Sequence, residues 1–229
     1  MRIFAKKNKY FIAPVLFLVA CFPETRGQEN EYYLWTGVKL SKEIIPDLKL
    51  VINPELRTMF NFEKKELFME TGLGFDPFKF LGLDLFYRLS REYSSDETIT
   101  QHRFAFDIQP KAEINRFSVG LRIRYANYSE GGLETGNSEK YFRYRLETGY
   151  DIKGSKLTPY CSLELFHNLP DKEIDKLRYL IGISYKFNKI HSIDNFFIFQ
   201  DYPGKNKNCY IFGVSYKIRL QNPLWQKRV

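Results

Sequence analysis

The sequence predicts an all-β fold, an antiparallel up-and-down transmembrane β-barrel of about 10–12 strands after an N-terminal signal peptide. Three observations carry that expectation. First, Phe117, Val119, Leu121, Ile123 and Tyr125 alternate with Ser118, Gly120, Arg122, Arg124 and Ala126, and Phe142 to Asp151 repeats the layout. Period two is the signature of a strand with one apolar and one polar face. Second, the polar face carries arginine, carboxylate and glycine, not the lysine, threonine and glutamine of a solvated exterior. Third, many of these runs reach about ten residues, the length a tilted membrane strand requires. Tyr and Phe also recur toward their ends, as in an interfacial girdle.

Composition agrees with one domain. The chain has 229 residues, 44% hydrophobic and 27% charged, and its 16 Tyr and 21 Phe are many for a soluble domain. Past the leader no apolar run is long enough for a membrane helix, which leaves strands untouched because they are apolar only at alternate positions.

The N-terminus reads as a targeting segment, residues 1–27. Arg2, Lys6, Lys7 and Lys9 precede an apolar stretch from Tyr10 to Phe22, too short to span. Cleavage at Gly27/Gln28 suits ordinary signal peptidase; Leu18-Val19-Ala20-Cys21 also reads as a lipobox that would leave an acylated Cys21. Removing 1–27 takes away five cations and Glu24, so the formal charge of +8 falls to +4. Half of the basicity is leader, and no helix-turn-helix, zinc-finger or RNA-binding signature accompanies it, so no nucleic acid partner is expected.

The barrel is expected over 28–220, with 221–229 as a C-terminal tail. Gln28 to about Ser41 sets Leu34, Thr36, Val38 and Leu40 against Trp35, Gly37 and Lys39, and Ile45-Pro46-Asp47 turns. The next run, Leu48 to Thr58, contains Pro54, which demotes it to an edge, bulge or seam. Leu67 to Phe75 follows, with Phe68, Glu70, Gly72 and Gly74 on its second face, and Asp76-Pro77 turns the chain into Leu81 to Ser90. After the Ser94 to Glu97 loop, His102, Phe104, Phe106 and Ile108 face away from Arg103, Ala105, Asp107 and Gln109. Asn115-Arg116 leads into the two founding runs, which the acidic, glycine-rich loop Ser129 to Lys140 connects. Beyond Lys153-Gly154-Ser155, Leu157 to Phe166 is followed, after Leu169 to Asp175, by Leu177 to Phe187; Asn188 to His191 turns again. Ile193 to Tyr202 is apolar on both faces and has no assignable register; Tyr210 to Leu220 is the last run.

That makes eleven strands, with the first parallel to the last. If a closed antiparallel barrel must have an even count, either one strand (the Pro54 run or Ile193–Tyr202) is spurious or the N-terminal one lies outside the barrel. Connections alternate: those at Pro46, Pro77, Asn115, Gly154 and Lys189 are short, the others longer and more polar. Outer-membrane barrels put short turns in the periplasm and long loops outside.

The charged face would line the lumen with Glu55, Arg57, Glu70, Asp84, Arg88, Arg103, Asp107, Arg122, Arg124, Arg143, Arg145, Glu147, Glu164 and Arg178, and Arg219 near the end. In so narrow a space these groups are expected to interlock as ion pairs, since isolated buried charge is very costly. The same excess of arginine would attract anions. Cys161 falls on the apolar face and Cys209 on the lumen face, so two free thiols are expected. No cofactor and no metal is expected, as no Cys-x-x-Cys, His-x-x-x-His or calcium loop occurs. His102, His167 and His191 are the chain's three histidines. His167 lies near Ser162, but the two fall on opposite faces, short of what nucleophilic catalysis needs.

At these residues the chain resembles a known family, the outer-membrane β-barrel proteins of the domain of unknown function 2490 type. The resemblance rests on Trp35, Glu55-Leu56-Arg57, Arg103 with Asp107, Arg122 with Arg124, Arg143-Tyr144-Arg145, Pro159-Tyr160, Glu164 to Asn168, Arg178 and Gly182. It implies a fold and a location, the outer membrane of a Gram-negative cell, and no activity. A non-catalytic structural barrel or small-solute and anion pore is thus the expected role, with a lipid-acting enzyme or a soluble lipid-binding barrel, its faces reversed, as alternatives. Expected partners are outer-membrane lipid and, during insertion, the barrel-assembly machinery.

Overall fold

The computed structural model describes residues 29–94, 97–130 and 138–220. The signal peptide 1–27 with its two cleavage readings, residues 95–96, loop residues 131–137 and the 221–229 tail lie outside the described residues. Eleven strands follow in order: β1 (Glu29–Ile45), β2 (Leu48–Met59), β3 (Lys64–Phe78), β4 (Leu81–Tyr93), β5 (Thr98–Ile114), β6 (Phe117–Glu130), β7 (Ser138–Tyr150), β8 (Leu157–Asn168), β9 (Glu173–Lys186), β10 (His191–Asp201) and β11 (Lys207–Leu220). Each pairs antiparallel with its sequence neighbours, and β1 closes on β11.

That closure is parallel, in register from Glu29↔Lys207 to Lys42↔Leu220. The demand for an even strand count is therefore corrected: all eleven runs are strands, and the N-terminal one lies in the wall. What lipid requires is that every backbone polar group find a partner. A parallel ladder does that nearly as well as an antiparallel one, so an odd count closes as long as one seam is parallel.

Alternation decides which face is which. In β3, Leu67, Met69, Leu73 and Phe75 are 44–51% exposed, while Phe68 and Glu70 between them are 2% and 7% exposed. The outer surface is predominantly apolar, with Leu85, Phe104, Phe106, Tyr144, Leu146, Ile181 and Ile183 standing free of the wall. Aromatic rings gather toward both rims. Phe78 stacks on Phe80 at 5.3 Å and Phe117 meets Tyr150 at 4.9 Å near the short turns. Tyr32 and Tyr210 stack at 5.3 Å near the opposite end.

Boundaries differ from the sequence reading in instructive ways. β1 runs to Ile45 and β9 starts at Glu173, because strand pairing carries polar residues past the point where alternation fades. Asp76-Pro77 is not the turn; it forms an irregularity inside β3, and the chain reverses at Lys79-Phe80. His191 is the first residue of β10, and the turn before it is 187–190. Pro54 sits at no edge, since the barrel has none; the β1–β2 ladder omits Val38 and Lys39 beside it instead. β10, unreadable in sequence, turns Ser192, Asp194, Ile198 and Gln200 inward. Its inward aromatic, Phe196, occupies the space that Gly213 of β11 leaves open beside it.

Candidate functional site in the barrel lumen

Within the lumen, two carboxylates each gather three arginines. Glu70 of β3 holds Arg88 from β4 at 3.2 Å and Arg124 from β6 at 3.7 Å, and accepts a short hydrogen bond from Arg103 of β5. Glu164 of β8 holds Arg143 from β7 at 2.9 Å and Arg178 from β9 at 3.5 Å, and pairs closely with Arg122 of β6. Register explains both hubs. Glu70 lies opposite Arg88 and Arg88 opposite Arg103, while Glu164 lies between Arg145 and Arg178.

Asp107 of β5 anchors Arg124 of the first hub. Both its oxygens accept from Arg124, at 2.5 and 2.7 Å, a bidentate geometry that only arginine offers. Asp107 is 1% exposed, Arg103 3%, Glu164 3% and Arg124 4%. Charges so buried are stable only with partners in good geometry. Toward the long-loop end Arg57 donates to Glu55 at 2.7 Å and Glu66 at 2.6 Å, its guanidinium lying 3.8 Å over Trp35. Arg88 and Arg143 lie likewise over Phe68 and Phe166, at 3.5 and 4.3 Å. Such stacking onto a ring face adds to the ion pairs. Asp84 accepts from Gln109, not from an arginine.

Arg145 and Glu147 stand apart from this belt. Their closest approach is 3.7 Å, with side chains 30% and 45% exposed. Around all these groups runs a cavity of about 750 Å³, its walls reaching from Glu92 and Gln101 at one end to Ser41 and Arg219 at the other. It is lined by thirteen Lys and Arg against nine Asp and Glu, so the lumen is positive by four formal charges.

All fourteen lumen residues named from the sequence line this cavity. Lys39, Lys49, Glu66, Glu92, Lys176, Asp194 and Lys217 line it too and were missed as site residues. Glu66 and Lys176 each stand one residue before the runs read from Leu67 and Leu177, and Asp194 lies in the strand with no assignable register; extending the inward parity of Phe68, Arg178 and Arg219 would have found Glu66, Lys176 and Lys217. The histidines stand elsewhere. His102 accepts from or donates to the Tyr87 hydroxyl at 2.7 Å and His191 does the same with Tyr216 at 3.0 Å. Ser162 is buried, whereas His167 lies across from Phe142 and Ile174. Cys161 is exposed and Cys209 buried, both as free thiols.

A closed barrel with an apolar exterior and a charged interior is a transmembrane β-barrel protein. The family profile described as "Protein of unknown function (DUF2490)" matches residues 33–219, and the chain belongs to that family. No curated protein matches the sequence. Among solved structures it is similar to an anion-selective porin from Comamonas acidovorans, with TM-score 0.37 and 9% identity over 68% of this chain and 48% of that one. A second porin, refined at 1.8 Å resolution, gives TM-score 0.36 and 13% identity over 75% of this chain and 58% of that one. The chain thus spans about half the length of the porins it matches.

Proposed function

We propose that the protein is a non-catalytic integral barrel of the Gram-negative outer membrane whose narrow lumen passes small anions. The observation that carries the reading is the lumen's surplus of four positive charges along a cavity that extends from one set of connections to the other. Rings of fixed cations in a low-dielectric passage favour anions over cations. The apolar outer wall and the two aromatic rims support a lipid surround. Three of the five connections at one end, 46–47, 79–80 and 115–116, have two residues, whereas every connection at the other end has four or more, which supports a periplasmic location for the end with the short turns.

The belt of paired arginines and carboxylates keeps the passage narrow, so single-channel conductance should be small. Planar-bilayer recordings across a KCl gradient test the reading. The expected result is a small current with a reversal potential on the chloride side. Cation selectivity, or silence from protein that is demonstrably folded, would overturn it. Arg145→Glu halves the lumen surplus and should shift the reversal potential toward potassium.

A further inference from the structure

The wall of the barrel is interrupted between β5 and β6. Their ladder is continuous through Ile108↔Ile123 and resumes at Lys111↔Gly120, omitting Gln109 and Pro110 on one strand and Leu121 and Arg122 on the other. The cause is chemical. Amides along a strand point alternately to its two neighbours, and the Lys111 amide donates to Phe80 on the β4 side at 2.9 Å. Position 110 must therefore supply the donor toward β6, and proline has none. Gly120 widens the place further, for a Cβ there would meet nothing nearer than the Pro110 carbonyl oxygen at 4.0 Å.

A second cavity, about 770 Å³, lies at this interruption. It is lined by residues of both faces: Gln109, Arg122 and Arg145 from the lumen side, Pro110, Leu121 and Phe80 from the lipid side and its rim. Arg122 and Arg145 are direct cross-strand partners, an arrangement of like charges that is unfavourable without a counter-ion. Glu164, across the ladder from Arg145, spends its close ion pairs on Arg122, Arg143 and Arg178, which leaves Arg145 with Glu147 as its nearest carboxylate, beyond hydrogen-bond distance at 3.7 Å. The Nε of each arginine is buried and has no acceptor. Buried donors without acceptors are rare, and a bound water, ion or ligand group is one way of satisfying them.

We propose that this opening binds a single-chain amphiphile with an oxyanion head, phosphate or carboxylate, the head between Arg122 and Arg145 and the chain leading out past Pro110 and Leu121 to lipid. The inference rests on the reading that the outer wall faces lipid. It does not depend on ion conduction.

The test uses folded protein in dodecyl maltoside micelles, whose own uncharged chains compete at the site. Binding of monododecyl phosphate, dodecanoate and inorganic phosphate is measured by titration calorimetry on wild type, Arg145→Gln, Gly120→Leu and, as a distant charge control, Lys65→Gln. One of the two amphiphiles should bind about tenfold or more tightly than inorganic phosphate, and the tighter of the two names the head. Arg145→Gln and Gly120→Leu should each weaken it about tenfold, Gly120→Leu without changing inorganic phosphate, and Lys65→Gln should change nothing. Wild-type affinity in both folded variants, or inorganic phosphate binding as tightly as the amphiphiles, would overturn the proposal. Heat-modifiable gel mobility of each variant reports folding separately, so failure of the barrel reading is not confused with failure of the site.

Discussion

Glu164, 3% exposed among Arg122, Arg143 and Arg178, shows how a single residue holds the lumen together. Replacing it by glutamine keeps the shape and removes the charge that three buried guanidiniums share. Breaking a buried ionic cluster from one side costs about 3–5 kcal/mol, so Glu164→Gln should lower the unfolding free energy by that order in urea titrations followed by tryptophan fluorescence. Glu147→Gln, whose partner is 3.7 Å away in an open part of the lumen, should cost less than about 1 kcal/mol. Both substitutions raise the positive surplus, so both should increase anion preference while only the first destabilises. The lumen residues were legible in the sequence wherever their strands alternated cleanly, as around Arg122 and Arg143. Glu66 and Lys176 were not, because they lie where the alternation begins and composition resembles a loop.

At the scale of the element, β10 is the informative case. Its inward face is partly apolar because Phe196 and Ile198 pack with Ile211, Cys209 and Trp35 inside the lumen, so neither face stands out as lipid-facing. Register there comes from fit against a neighbour, which no single strand's pattern contains. Gly213→Val would place side-chain atoms where the Phe196 ring lies; overpacking of that kind costs about 1–3 kcal/mol, readable as a lowered urea midpoint. Gly204, in a turn at φ 77° with open space around it, marks the contrast, since there the constraint is backbone conformation and not room. The β1–β11 seam was half legible. The direction of the first and last strands was readable, but the rule that barrels are even hid their pairing. Thr36 and Val214 are partners across it, at a separation typical of strand neighbours and of disulfides. Thr36→Cys with Val214→Cys, in a background lacking Cys161 and Cys209, should therefore cross-link on oxidation and alter the migration of the boiled chain. A failure to cross-link would place β1 elsewhere.

For the whole molecule, two faces with opposite chemistry define the account: apolar residues outside, paired charge within. Sequence periodicity established both faces but could not say which pointed outward, since a soluble barrel with an apolar interior has the same alternation. The structure assigns the inward set through burial, with Glu70, Arg103 and Asp107 inside and Leu67, Phe104 and Phe106 outside. The measurement that tests this most directly is gel mobility of the detergent-extracted membrane fraction, boiled against unboiled. A closed barrel tied by eleven ladders and an ionic core should resist detergent when cold, run faster unboiled, and shift on heating. Equal mobility, with the protein recovered in the periplasmic soluble fraction, would contradict the assignment and put water, not lipid, against the outer wall.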